Sequence, residues 1–382
     1  MADDGSLLSR NLGRRKLISY QGSIGGLYRI YIPNLLLTIV TLGIWRFWGV
    51  TRMRRYVWAN TEMDGDRFEY DGTGLQLFLS FLLAGLVLVG MVVVAGVVAV
   101  LLGRYNRVLA GLPVAVLYLA IMILGLSAPF SAQRYRLSHS LWRGIRGGMA
   151  GSAIQYGMRS LAYFLFAGVT LYQLLPWATL RLRERLINAS YLGDLQFTSH
   201  GRAWRLYFVF LATFIGVIAL AAVIALSVWT LDAAGLQAMS AMARVPRGTP
   251  PDPELVALSR HTIYYVLAGY AALAVGGALI SCAYTAAFWR HLLGHTSLGG
   301  LDLGSDVRAL DVLALAAGNL AILVCTLGLG APVVVHRNLR FTARHLLVTG
   351  VLDSAAIRQS DRVVSGMGEG MFQQLDAGAG LV

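Results

Sequence analysis

An all-α polytopic membrane protein with small β-strands at the cytoplasmic surface is the fold class this sequence predicts, and three observations carry it. Only 13% of the 382 residues are charged and 57% are hydrophobic, whereas a soluble chain carries about twice that charge fraction. About seven apolar segments recur along the chain, and four of them exceed the roughly 20 residues that span a bilayer as a helix. The other three end in one motif. Thr41-Leu42, Thr170-Leu171 and Thr326-Leu327 each close an apolar run, and Arg52, Arg181 and Arg337 follow at eleven residues.

Residues 1–16 form a polar N-terminal tail carrying Arg14-Arg15-Lys16. This tail has no apolar core before a small-residue cleavage site, so insertion falls to the first apolar segment. Residues 17–128 read as a first repeat, with the motif run 27–50 followed by spans 77–102 and 109–128. Residues 129–290 read as a second, with the motif run 161–180 and spans 204–230 and 262–288. Residues 291–382 hold a third motif run, 310–335, and a C-terminal tail. The copies align without gaps at offsets of 129 and 285 residues: Gly22 with Gly151, Trp48 with Trp177, Gly72 with Gly201, Asn34 with Asn319 and Gly43 with Gly328. Polar and glycine matches of this kind point to three degenerate repeats of one membrane-embedded unit.

Charge then poses a topology question. If all seven segments cross, the 32 Lys and Arg residues divide 14 to 18 between the two sides. If the three motif segments enter and return, they divide 27 to 5, with only Arg104, Arg107, Arg244, Arg247 and Arg260 outside. The second division is the one the positive-inside rule expects. Gly43, Gly328, Pro176 and Pro332 supply the breaks that a bent segment needs, and such backbone is tolerated at membrane depth where protein covers it. Seven ordinary spans in repeats of alternating orientation remain the other reading. Between segments, Arg67–Tyr70, Arg134–Leu137 and Leu195–Thr198 alternate with period two and predict strands, with Asp71-Gly72 and His200-Gly201 as turns. Val245–Pro253, with four prolines, predicts a loop.

The formal charge of +13 does not indicate nucleic acid, because no basic stripe lies on a soluble domain. Arginines beside membrane segments meet lipid, and the partners expected are membrane lipids with anionic headgroups. Cys282 and Cys325 lie within apolar runs as small hydrophobes. His291 and His295 stand four apart without a further ligand at metal spacing, so no metal and no cofactor is expected. Gly72-Thr73-Gly74 lacks the ending of a phosphate loop. Carboxylates are nearly absent from the apolar segments, which argues against a pump that uses them. Two sets of candidates remain. Asn34, Asn319, Thr41, Thr170 and Thr326 are polar groups within apolar segments and would line a substrate path. Arg52, Arg55, Arg181, Arg337 and Arg340, with their neighbours, would bind lipid phosphate or another anion, since guanidinium forks match phosphate oxygens.

The run Asn34–Gly74, NLLLTIVTLGIWRFWGVTRMRRYVWANTEMDGDRFEYDGTG, together with SHSLWRGI at Ser138–Ile145 and DLQF at Asp194–Phe197, resembles the YjgN family of bacterial inner-membrane proteins, a domain of unknown function. The resemblance covers almost the whole chain. It implies a multi-pass inner-membrane protein and brings no established reaction, ligand or catalytic residue. The functional expectation is passage or binding of a small or anionic amphipathic molecule at the repeat interface. The alternative is a structural or lipid-organising protein without transport. An enzyme is disfavoured because no acid and nucleophile stand together, and the oligomeric state is left open.

Overall fold

The computed structural model describes residues 16–246, 250, 252–350 and 357–359. Most of the N-terminal tail with Arg14-Arg15, Arg247 and Pro251 of the proline-rich loop, and nearly all of the C-terminal tail lie outside the described residues. The chain divides into two compact units, one of Met1–Ala203, Arg290–Asp306 and Asn319–Val382, the other of Trp204–Trp289 and Val307–Gly318.

The first unit is organised by a sheet. Among the described residues it has ten strands: β1 Ile18–Tyr20, β2 Thr61–Met63, β3 Asp66–Tyr70, β4 Ser140–Trp142, β5 Ile145–Met149, β6 Ser190–Leu192, β7 Leu195–Ser199, β8 Thr296–Leu298, β9 Leu301–Ser305 and β10 Leu346–Thr349. Each pairs with the next in chain order, antiparallel throughout, with registers such as Leu141↔Arg146 and Ser297↔Asp302. Four hairpins close on two-residue turns. At Asp64-Gly65 φ is +53° and +86°, and at Arg143-Gly144 it is +51° and +75°. Two left-handed residues in succession give the twist that joins antiparallel strands. Trp142, fully buried, lies at the centre with Met63, Leu301, Val348 and Ile357, and its indole N–H donates to Met63 O at 3.1 Å. Leu17, next to β1, and Val348 of β10 share this one cluster, so the sheet curls into a near-barrel filled by side chains.

Helical hairpins connect the strands. They are α1 Ile24–Val40 with α2 Arg46–Ala59, α3 Gly74–Gly103 with α4 Arg107–Ser138, α5 Ala153–Val169 with α6 Leu175–Ala189, and α10 Ala309–Cys325 with α11 Ala331–His345. Between β7 and β8 the chain runs through α7 Trp204–Leu231, α8 Ala233–Met242 and α9 Pro253–Leu293. The same order recurs five times among the described residues: strand, helices, strand. A hydroxyl marks four returns to the sheet. Thr61, Ser140, Ser190 and Thr296 begin β2, β4, β6 and β8, and each donates to the carbonyl four residues back at 2.7–2.8 Å. Departures are capped as well, by Ser23, Thr73 and Ser152; Thr73 forms a capping box with Gln76. Such caps satisfy amides that a helix start leaves open.

Among the described residues four helices are long and apolar enough to cross a membrane: α3, α4, α7 and α9. They contain the four spans expected. The three motif runs each break at their Thr-Leu pair instead. The first helices of those hairpins have 17 residues, about 26 Å at 1.5 Å per residue, short of a hydrocarbon core of about 30 Å.

The strands are small, as expected, and they join in one ten-stranded sheet fed by every connection, so the fold is mostly helical with a sheet rather than all-α. One expectation needs correction. Arg134–Leu137 is not a strand: α4 runs through it to Ser138. Four alternating residues satisfy a helix end as well as a strand, and here the helix carries beyond the apolar span before Ser140 starts β4.

In the second unit α7 packs on α9 through small residues. A Cβ on Gly276 would stand 2.6 Å from Leu220, and one on Gly269 2.9 Å from Ile224. Phe210 and Tyr284 meet with ring centroids 5.6 Å apart.

Candidate functional site

The motif threonines are turn latches. Thr41 Oγ1 donates to Leu37 O at 2.7 Å and accepts the Trp45 N–H at 2.9 Å. Thr326 repeats this with Ile322 O at 2.6 Å and the Gly330 N–H at 2.7 Å. Thr170 donates to Ala167 O at 2.9 Å and accepts from Leu174 N at 3.4 Å. Each hydroxyl thereby closes the last turn of one helix and caps the start of the next, serving backbone groups that helix ends leave open. The following leucines pay for the reversal in backbone strain: Leu42, Leu171 and Leu327 have φ of +50°, +51° and +49°, a region costing about 1–2 kcal/mol for a residue with a Cβ. Their side chains are 95%, 78% and 93% exposed.

Two turns before the latch in the first hairpin lies Asn34, buried at 7% exposure. Its Nδ2 donates to Ile30 O at 2.8 Å, and its Oδ1 accepts the Trp45 indole N–H at 3.0 Å and an Arg52 N–H at 3.4 Å. The Arg52 guanidinium lies 5.2 Å from the Trp45 ring. Gly49 admits this approach: a Cβ there would come 3.3 Å from Asn34 Cβ. Tyr163 holds the corresponding place in the third hairpin, and its hydroxyl accepts from Arg185 at 3.1 Å. In the α10–α11 hairpin, the fifth of the strand-to-strand connections and here called the fifth hairpin, Asn319 donates to Asn338 Oδ1 at 2.8 Å. Its own Oδ1 is buried and has no hydrogen-bond partner among the described residues. The reason is local, because Gly330 stands where the first hairpin has Trp45, so the indole donor is missing.

The first and fifth hairpins meet. Tyr31 Oη donates to Gly328 O at 3.4 Å, and Leu27, Val57 and Val335 form a core with Leu339 against it. Tyr20 and His336 meet edge to face at 5.7 Å. Among the described residues the Tyr20 hydroxyl and His336 Nδ1 are also buried without a hydrogen-bond partner. Burial, with Tyr56 adding, pushes the Tyr20 hydroxyl up to about 12. Burial, with Arg340 adding, holds the His336 imidazole below its ordinary value.

The arginines have separate duties. Arg55 donates to Gly72 O at 2.9 Å, fixing a strand-to-helix junction. Arg181 pairs with Glu184 at 2.8 Å. Arg340 is exposed beside His336, and Arg337 lies on α11 one residue before Asn338. Arg52, Arg181 and Arg337 stand in three different hairpins, and the contacts just described bring no two of them together.

Several polar residues escape sequence reading. Glu184, 4% exposed, accepts the Gly201 N–H as well as the Arg181 guanidinium. A single acid inside the basic run RLRERL was the available signal. Asp232, 8% exposed at the start of α8, lies 3.8 Å from His261 Nδ1 of α9. The His291 and His295 rings meet at a tilt with centroids 4.3 Å apart, and no group of three His, Cys, Asp or Glu suited to a metal occurs among the described residues.

A family described as a bacterial protein of unknown function, DUF898, matches residues 15–374. The chain is 46% identical over 55 residues to the inner membrane protein YjgN of Escherichia coli K12, which is 14% of each chain. It is 33% identical over 78 residues to the protein of the same name from Salmonella typhimurium, 20% of each. The chain thus aligns with at most a fifth of the length of these relatives. No solved structure matches it. With the family matched over most of its length and four helices able to cross a bilayer, the chain belongs to this YjgN family of bacterial proteins of unknown function and is a multi-pass inner-membrane protein.

Proposed function

We propose that the protein binds a small anionic amphipathic molecule, of the class of membrane phospholipids, where the first and fifth hairpins meet. The observation that carries this is the buried Asn319 Oδ1, which has no hydrogen-bond partner among the described residues, on the side chain that donates to Asn338. A buried amide oxygen left unpaired costs about 1–3 kcal/mol, which a ligand hydroxyl or amine would offset. Arg337, one residue before Asn338 in the sequence, brings a guanidinium to the same helix, and a guanidinium suits a phosphate. Thr326 and Arg340 belong to the same hairpin as this site, whereas Asn34, Thr41 and Arg52 belong to the first hairpin, where Asn34 is bonded to Ile30, Trp45 and Arg52.

The reading includes a topology. The three motif hairpins are re-entrant, degenerate copies of one unit, and the sheet with its arginines lies in the cytoplasm. Exposed left-handed leucines at all three tips support it, since lipid is the surrounding in which such tips are favourable. An alternative, a structural or lipid-organising protein without transport, is favoured by the latched threonines and by the bonds that Asn34 makes to Ile30, Trp45 and Arg52. Those groups are occupied within their own hairpins, leaving Asn319 as the open position.

The test is native mass spectrometry of the full-length protein with phosphatidylglycerol. Asn319→Leu is expected to lower retained lipid about tenfold, equivalent to about 1.4 kcal/mol, with the thermal midpoint held or raised. Asn34→Leu is expected to do the reverse, lowering stability and leaving lipid bound. Wild-type retention in Asn319→Leu would overturn the binding reading in favour of the structural one.

A further inference from the structure

Helices α3 and α4 pinch together near their connecting turn, where a Cβ on Gly103 would stand 3.4 Å from Ala110 Cβ. Below the pinch they part around a cleft of about 630 Å³, walled by Gly90, Val94, Val98 and Leu102 on one side and Leu112 and Val116 on the other. Its size falls within the roughly 300–1,000 Å³ of sites that enclose a small ligand, and its walls carry only apolar side chains. From Gly90 to Leu102 it runs twelve residues, about 18 Å along the helix. That is close to half of a hydrocarbon core of about 30 Å, the depth of one leaflet.

The end of the cleft is charged. Arg104 follows Leu102 by two residues and Arg107 opens α4, with Tyr105, 87% exposed, between them. No acidic residue occurs anywhere from 72 to 183. Among the described residues neither guanidinium has a carboxylate partner. An uncompensated arginine pair above a leaflet-deep apolar cleft fits a lipid with a phosphate at one end. Arginine meets phosphate with paired N–H donors, and a tyrosine at headgroup level is a usual interfacial anchor.

We propose that the α3–α4 cleft holds an acyl chain of an anionic glycerophospholipid of the outer leaflet, its phosphate on Arg104 and Arg107. The leaflet assignment rests on the topology given under Proposed function; the lipid site itself does not use the Asn319 region.

The test uses full-length protein in nanodiscs of phosphatidylcholine containing phosphatidylglycerol with a diazirine on its acyl chain. Crosslinks are expected on α3 and α4 near Leu102 and Leu112, with about tenfold lower yield for the phosphatidylcholine probe. Arg104→Gln with Arg107→Gln is expected to erase that preference. Gly90→Phe, which fills the cleft and leaves the arginines in place, is expected to lower the yield at these positions at least fivefold. Equal yields from both probes, or yields indifferent to both variants, would overturn the proposal and leave ordinary annular lipid. Tyr105→Cys labelled by an impermeant thiol reagent tests the leaflet separately. Labelling from the cytoplasmic side with selective crosslinking intact would overturn the outer-leaflet assignment and not the site.

Discussion

A threonine hydroxyl has one hydrogen and two lone pairs, and the motif turns use both functions. At Thr326 the donated bond is 2.6 Å and the accepted one 2.7 Å, the tightest of the three latches. Valine keeps the shape and removes both bonds, so Thr326→Val is expected to destabilise by about 1–2 kcal/mol, the usual cost of losing a cap. At Thr170 the accepted bond is longer, 3.4 Å, and the loss is expected to be smaller. Thermal unfolding in one detergent, comparing the two variants, checks the order. Equal midpoints for both variants and the parent would remove the latch as an account of the motif. Sequence alone revealed the Thr-Leu pair as a repeated pattern. It did not reveal the hydroxyl's partners, because they are backbone groups that any residue supplies. Asn34 and Asn319 looked equivalent for the same reason: their difference lies in Trp45 against Gly330, eleven residues away in each copy.

Short elements were harder to foresee than long ones, and the cause is the amount of pattern each contains. The four crossing helices have 28 to 41 residues, and their apolar runs leave no ambiguity. The strands have three to five residues. Alternation was visible in Phe68–Tyr70 and Leu195–Thr198, but β5, Ile145–Met149, contains Gly147 and Gly148, and β9 contains Gly304, so neither pair of faces can be told apart by hydropathy. The two-residue hairpin turns, such as Asp64-Gly65 and Gly193-Asp194, carried a signal that the reading of Asp71-Gly72 and His200-Gly201 as turns did not use. Their demands differ and are testable. Gly193 and Gly144 both have left-handed φ, +58° and +75°. A Cβ on Gly144 meets nothing within 4 Å, whereas one on Gly193 would lie 2.3 Å from the Arg358 carbonyl. Arg358 is paired there through its N–H to Asp194 Oδ1 at 3.1 Å, beside Ile357 in the sheet core. Gly144→Ala is expected to cost about 1 kcal/mol of backbone strain, and Gly193→Ala about 2–3 kcal/mol because residues 357–359 must also move. Denaturation midpoints distinguish them, and Gly193→Ala is further expected to expose the C-terminal segment to trypsin at Arg358.

At the scale of the molecule, the sheet turns charge statistics into a geometric constraint. Paired strands share backbone hydrogen bonds, so ten successive strands in one sheet lie on one side of a bilayer, since an open sheet does not cross lipid. The chain between any two neighbouring strands must then cross an even number of times. Between β3 and β4 it has two crossing helices, α3 and α4, and between β7 and β8 it has α7 and α9. Between β1 and β2 the partner of apolar α1 is α2, which carries Arg46, Arg52, Arg54 and Arg55 and is no span. A single crossing by α1 would tear β1 from β2. Applied to α5 with α6 and to α10 with α11, the same parity is what the proposed re-entrant topology requires, and it would give the 27 to 5 division of basic residues rather than the 14 to 18 division. Cysteines placed in the exposed turns at Asp64 and Asp194, in a background lacking Cys282 and Cys325, report on parity directly. Intact spheroplasts are expected to protect both from an impermeant maleimide, with labelling restored on lysis and Tyr105→Cys labelled throughout. The seven-span arrangement puts three crossings between Asp64 and Asp194, so protection of one and labelling of the other would end the re-entrant reading and with it the single-sided sheet.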